Sequence, residues 1–215
     1  MGLYCIFKEE QDRNMKKHYE KMMQDTEKRV RHSFRIQVKE QGEDYGGFYD
    51  EKGIVQPKYA LYRVTTAIAA YCNQKSVFYQ DLAVYTMIRE GLAYVLRWQH
   101  DNGLFDFVTC NFLSTPDTAF CIKRIFPVLT YLDNHRTTRE EEEIYQALFT
   151  IVRQGAAGLL EGGFHTPNHR WAIASMLMEC GKLFDDPAMV NRADEYLAEG
   201  IDCNEDGEYA EKSAG

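Results

Sequence analysis

The sequence predicts an all-α fold built from repeated antiparallel helical hairpins, and three observations lead there. Apolar residues recur with helical period over most of the chain, whereas period-two alternation is hard to find. A punctuation of glycine, aromatic residue and proline returns at intervals that leave room for two helices. A content of 45% hydrophobic and 13% aromatic residues over 215 positions suffices for one sizeable core, so residues 1–215 read as a single domain.

Asn14 to about Ile36 reads as a polar, charged helix. Helix-period segments follow at Lys58–Cys72, Phe78–Trp98, Asp117–Leu132, Arg139–Leu160, Asn168–Phe184 and Ala188–Glu199. Short runs of Gly, Pro, Asp and Asn divide them. Thr138 and Glu141 have capping-box spacing and fix the start of the fifth. Thr115 and Thr166, each before a proline, read as N-caps.

The loops repeat. Gly46-Gly47-Phe48-Tyr49 leads to Gln56-Pro57, Gly103-Leu104-Phe105-Asp106 to Thr115-Pro116, and Gly162-Gly163-Phe164-His165 to Thr166-Pro167, while Gly207-Glu208-Tyr209 begins a fourth unit. Glycine supplies positive φ after a helix end, the aromatic returns to the core, and proline opens the next helix. A period of roughly 45 to 60 residues means an array of helix pairs. With one Gly-aromatic turn at the same end of every pair, the array reads as an α/α-toroid whose turns converge on a central cleft. About three and a half hairpins are present, so an incomplete N-terminal part of the ring is expected, with an apolar flank open to self-association.

The formal charge of -8, with Lys and Arg mixed among the acids, predicts no nucleic-acid partner. No run is apolar enough for a signal-peptide core or a membrane span, so a cytoplasmic protein is expected, with no membrane partner. Cys5, Cys72, Cys110, Cys121, Cys180 and Cys203 lack CxxC spacing and read as buried thiols.

An acidic ligand needs a local positive site on such a chain, and the densest polar cluster offers one. In Gly163 to Trp171, Pro167 starts a helix, so Asn168 and His169 lie in its first turn, where free N–H groups and the helix dipole favour an anion. Arg170 adds charge, Asn168 can donate two hydrogen bonds to a carboxylate, and His169 can act as a base near neutral pH. His165 and Trp171 are placed as substrate contacts, the former through packing or fit. Zinc is not expected, because Pro167 separates His165 from His169. Asp202, Asn204 and Asp206 open like a calcium loop, but Ser213 stands where a bidentate Glu is required. Asp117 takes the place of Asn168 in the preceding repeat, and Glu208, Tyr209, Glu211 and Lys212 follow the fourth turn toward the same cleft. Trp98, Trp171, Tyr49 and Phe105 offer stacking surfaces where exposed and core where not.

Phe164-His165-Thr166-Pro167-Asn168-His169-Arg170-Trp171, followed by Asp206-Gly207-Glu208-Tyr209-Ala210-Glu211-Lys212-Ser213, resembles the toroid domain of the heparinase II/III and alginate-lyase group of polysaccharide lyases. The resemblance implies β-elimination on a uronate polysaccharide without a cofactor. It makes Asn168 the group that neutralises the carboxylate and His169 a base, with the acid, a tyrosine, beyond Gly215. Two other readings stand beside it: a glycoside hydrolase using Asp117 and Glu208 as its carboxylate pair, and a non-catalytic module that binds a saccharide or a protein.

Overall fold

The computed structural model describes residues 2–163, 166–200, 204–206 and 208, with side chains from residue 14 onward. The chain is all-α, 68% helix. Among the described residues the order is α1 (Gly2–Ile36), α2 (Pro57–Tyr71), α3 (Leu82–Trp98), a hairpin of β1 (Phe105–Phe107) and β2 (Asn111–Ser114), α4 (Thr115–His135), α5 (Arg139–Glu161), α6 (Pro167–Phe184) and α7 (Pro187–Ala198). No helix among these residues is long and apolar enough to cross a membrane.

The helices pair as α2 with α3, α4 with α5 and α6 with α7. Across pairs, α2 packs on α4 and α4 on α6, while α3 packs on α5 and α5 on α7. Two layers result, an α2–α4–α6 row and an α3–α5–α7 row, with α1 laid against α2. Tyr94, Phe48, Phe105, Ile122 and Leu132 are buried between them.

Local chemistry explains where the boundaries depart from expectation. The third helix begins at Leu82 rather than Phe78, because the Asp81 carboxylate accepts from Val84 N at 2.9 Å and caps it there. Ser114, not Thr115, caps α4, its Oγ accepting from Asp117 N at 3.2 Å. Thr166 occupies the N-cap position of α6, yet its side chain makes no cap bond. The capping box at Thr138 and Glu141 forms as expected. The β-hairpin lacks an alternating run. It is held from outside, by Thr118 Oγ1 accepting from Phe105 N at 2.9 Å and Asp106 Oδ1 accepting from Leu113 N at 2.7 Å. Cys72, Cys121 and Cys180 are buried, and burial pushes each thiol up to about 12. Cys110 on that hairpin is exposed, against the buried reading, and Cys5 and Cys203 carry no described side chains.

One interaction repeats between hairpins. Gln37, just past α1, donates from Nε2 to Gly46 O at 3.2 Å and to Met87 O of α3 at 3.0 Å. Gln99, just past α3, donates to Gly103 O at 2.8 Å and to Ile151 O of α5 at 3.1 Å. Each carboxamide therefore ties its own turn to the outer helix of the next hairpin. The glycines let the backbones close: Gly46 and Gly103 have φ of +87° and +79°, and an added Cβ would lie 2.3 Å from Glu90 O or 1.9 Å from Gln154 O. In the third turn Tyr196 of α7 replaces the glutamine and donates to Gly162 O at 3.1 Å.

The first three turns share one end of the array. A Cβ on Gly158 would meet Asn102 O at 2.6 Å and one on Gly162 would meet Thr115 Oγ1 at 2.2 Å, so the third turn abuts the second. The first lies at the end of α3 that leads into the second, where Arg97 Nη2 donates to Tyr45 O at 2.7 Å. Of the fourth turn, Gly207 and Tyr209 lie outside the described residues.

Gly46→Ala and Gly103→Ala should each destabilise the fold by on the order of 3 kcal/mol, since both strain φ and drive a methyl into a backbone carbonyl. Gly53 has φ +77° but nothing within 4 Å of an added Cβ, so Gly53→Ala should cost only about 1 kcal/mol. Urea unfolding at constant m-value measures both; equal losses at the three sites would show that docking adds nothing.

Gln99→Glu tests the bridge by pH. A buried carboxylate facing two carbonyl oxygens must have a raised pKa in the folded state, because its charged form is penalised there. Its stability is then retained below the unfolded-state pKa and lost as pH rises through the folded value. Urea midpoints should therefore converge on the wild type toward pH 4 and separate toward pH 8; parallel profiles would exclude the bridge.

Candidate functional site

The starts of α2, α4 and α6 lie side by side. Lys58 Nζ of α2 meets Asp117 Oδ1 of α4 at 2.6 Å, and the Phe120 ring of α4 meets the His169 ring of α6 edge-on at 6.2 Å. Pro116 is the second residue of its helix, whereas Pro167 is the first. The repeat therefore slips by one: the counterpart of Asp117 is His169, not Asn168. Both side chains reach back to the cap residue, Asp117 Oδ2 accepting from Ser114 Oγ at 2.6 Å and His169 Nδ1 lying 2.7 Å from Thr166 Oγ1.

A groove of about 870 Å³ opens beside these starts, walled by α2, α4 and β1. Helical spacing builds its walls. Lys58, Tyr59 and Tyr62 form one stripe of α2, and Phe120, Lys123, Arg124 and Pro127 form the facing stripe of α4 at i, i+3, i+4 and i+7. Phe107 of β1 completes the rim, with Lys58 Nζ 4.3 Å from its ring centroid. Lys58, Lys123 and Arg124 line the groove, and none of its lining residues is acidic. Low-dielectric walls focus that positive field in a chain of net charge -8. Gln56, 7% exposed, is on the lining, and its buried Oε1 has no hydrogen-bond partner among the described residues. Cys121 is also on the lining, but burial holds its thiol protonated and it is no nucleophile.

The anticipated residues divide. Asn168 is half-buried and its Oδ1 accepts from His169 N at 2.8 Å, which leaves the amide NH₂ as its donor end. His169 adjoins the groove through Phe120. Arg170 is 5% exposed and turns away from the helix start, meeting Glu199 Oε2 at 3.1 Å and Gly200 O at 2.8 Å. The charge expected from it is therefore held by Glu199 rather than presented at the helix start. Trp171 is half-buried, its indole nitrogen without a partner among the described residues. Asp117 has both oxygens engaged, by Lys58 and Ser114.

Glu208 is exposed and bound to its own loop, its N donating to Asn204 Oδ1 at 2.8 Å and its Oε2 accepting from Asn204 Nδ2 at 2.9 Å. That turn occupies the oxygen the calcium-loop spacing would have offered, and no cluster of three metal-ligating side chains exists among the described residues. His165 and Tyr209 lie outside the described residues. Of the stacking candidates, Phe105 is core, whereas Tyr49 and Trp98 are 42% and 40% exposed. Tyr59, Tyr62, Phe107, Phe120, Lys123 and Arg124 were not anticipated. Their signal was present as an aromatic and basic stripe at helical spacing, hidden by the acidic total.

Comparison with protein-family models, with curated proteins and with solved structures finds no match to this chain, so the geometry of the groove and the helix starts carries the functional argument.

Proposed function

We propose that this chain binds an acidic oligo- or polysaccharide in the groove between α2 and α4, on a scaffold that is part of an α/α-toroid. We further propose that Asn168 and His169 cleave it by β-elimination. The observation that carries the reading is the lining: aromatic walls for sugar faces, and Lys123 and Arg124 for carboxylates beside a Lys58 paired with Asp117, with no acid among the lining residues.

In the elimination, Asn168 Nδ2 and the positive end of the α6 dipole stabilise negative charge gathering on the uronate carboxylate as the α-proton leaves. His169, whose Nδ1 lies 2.7 Å from Thr166 Oγ1, is the base assigned to that proton. The carbon–oxygen bond to the leaving sugar then breaks, a carbon–carbon double bond forms, and the departing oxygen takes up a proton. No water is consumed. Elimination is favoured over hydrolysis because Asp117, with both oxygens engaged, is poorly placed as acid or nucleophile.

Incubation with uronate polysaccharides should raise the ultraviolet absorbance of the unsaturated uronide. Asn168→Ala should cut that rate by on the order of a hundredfold, the loss of one oxyanion donor, and His169→Ala at least as much, with unchanged thermal unfolding. Reducing ends without the chromophore would replace elimination by hydrolysis. Binding without turnover would reduce the protein to a saccharide-binding module.

A further inference from the structure

Three arginines from three helices gather around one tyrosine on the groove wall. The guanidinium carbons of Arg29 (α1), Arg63 (α2) and Arg124 (α4) lie 5.9, 5.6 and 4.3 Å from the Tyr62 ring centroid. Arg29 also donates to the Tyr62 hydroxyl, and Arg63 to the Tyr59 hydroxyl. Among the described residues none of the three has a carboxylate within ion-pair distance, and Arg63 Nε is buried with no hydrogen-bond partner.

Acids are not scarce in this chain, with 33 Asp and Glu against 25 Lys and Arg. Some arginines elsewhere find them, as Arg136 meets Asp133 and Glu142, Arg139 meets Glu143 and Arg192 meets Glu195, while Arg35, Arg89, Arg97 and Arg153 stand singly without one among the described residues. What sets these three apart is that they gather on one ring. Three like charges drawn to one ring repel each other, and cation–π contact offsets only part of that. A multiply charged anion would relieve the remainder.

We propose that this cluster binds the phosphate of a phosphomonoester whose ring lies against Tyr59 and Tyr62. A guanidinium presents a planar fork of N–H donors, and several forks offer more donors and charge than one carboxylate can use. A phosphate dianion has the oxygens and the charge to engage them. The two tyrosine rings are near-parallel, 12° apart with centroids at 6.5 Å, and line the 870 Å³ groove, which is of a size for a ring-bearing small molecule. This ligand is fixed by charge and shape at Tyr62, and it stands whatever reaction His169 performs.

Titration calorimetry of the full chain at constant ionic strength tests it, with glucose 6-phosphate, inorganic phosphate and glucose as probes. The ester should bind more tightly than inorganic phosphate, and glucose should give no heat. Arg124→Gln and Arg63→Gln should each weaken the ester about tenfold or more, the loss of a charged hydrogen-bonding group. Arg139→Gln, on exposed α5, should leave it unchanged. Affinity should fall between pH 7.5 and pH 5, as the phosphate gains a proton near about pH 6. Protection of Arg124 from phenylglyoxal by the ester in the wild-type chain gives a reading that needs no variant. Glucose binding as well as its phosphate, unchanged affinity in both arginine variants, or no heat and no protection at millimolar ester would overturn the site. Inorganic phosphate binding as tightly as the ester would overturn the ring platform.

Discussion

A side-chain amide that bridges two backbone carbonyls sets how each hairpin meets the next. Gln37 and Gln99 each join a turn carbonyl to one on the outer helix of the following pair, and the neighbouring glycine lets the two backbones touch. Because both acceptors are main-chain groups, the bond fixes backbone against backbone, and side-chain repacking cannot easily loosen it. The turn of one pair is thereby held at the level of the outer helix of the next. That shared level brings the α2, α4 and α6 starts to one end, where Lys58 reaches Asp117 and Phe120 reaches His169.

The groove follows from this placement together with the way charge is distributed. Acids cluster where helix chemistry favours them, as in the first turn of α5 with Glu140, Glu141 and Glu142, and at exposed i,i+4 positions such as Glu143. The stripe of α4 that faces α2 carries Lys123 and Arg124 with no acid of its own, and Asp117 at the start of the same helix is spent on Lys58 and Ser114. An overall negative chain thus keeps a positive concavity. The overall field slows approach of anions from a distance, while the local field holds them once inside, within about a Debye length.

How much of this was legible in the residues depends on the range of the interaction. Helices with strong period and local caps could be read directly, as at Arg139 behind its capping box, because their signals lie within one turn. The α3 start was misplaced since Phe78 continues the apolar pattern, and only the Asp81 carboxylate terminates it. The hairpin at Phe105–Phe107 and Asn111–Ser114 was invisible for the opposite reason: its tether, Thr118, sits on the following helix. The place of Asn168 and His169 in the first turn of α6 is legible because proline marks that helix start. The Tyr59, Tyr62, Lys123 and Arg124 lining is not, because it forms only when two stripes separated by some sixty residues face each other. Arg170 shows the reverse error. Its place in a polar run suggested an open charge, but helical geometry one residue past His169 turns it toward α7 and Glu199.

The slip of one residue between Thr115-Pro116 and Thr166-Pro167 has a chemical consequence. Proline is tolerated at either early helical position because its missing N–H has no intrahelical partner there. The scaffold can therefore keep the same loop while advancing the helix by one residue, which changes the side chain delivered to the third helical position. That position holds Tyr59 in α2, Asp117 in α4 and His169 in α6: a phenol, a carboxylate and an imidazole. Asp117 and His169 make the same backward contact to the cap hydroxyl, so the geometry is conserved while the proton chemistry is not. The Asp117 carboxylate is paired with the Lys58 ammonium, whereas the His169 ring meets the edge of Phe120. A repeated frame with a variable third position thus places three kinds of proton-active group along one edge, and the positive groove beside them selects what approaches that edge.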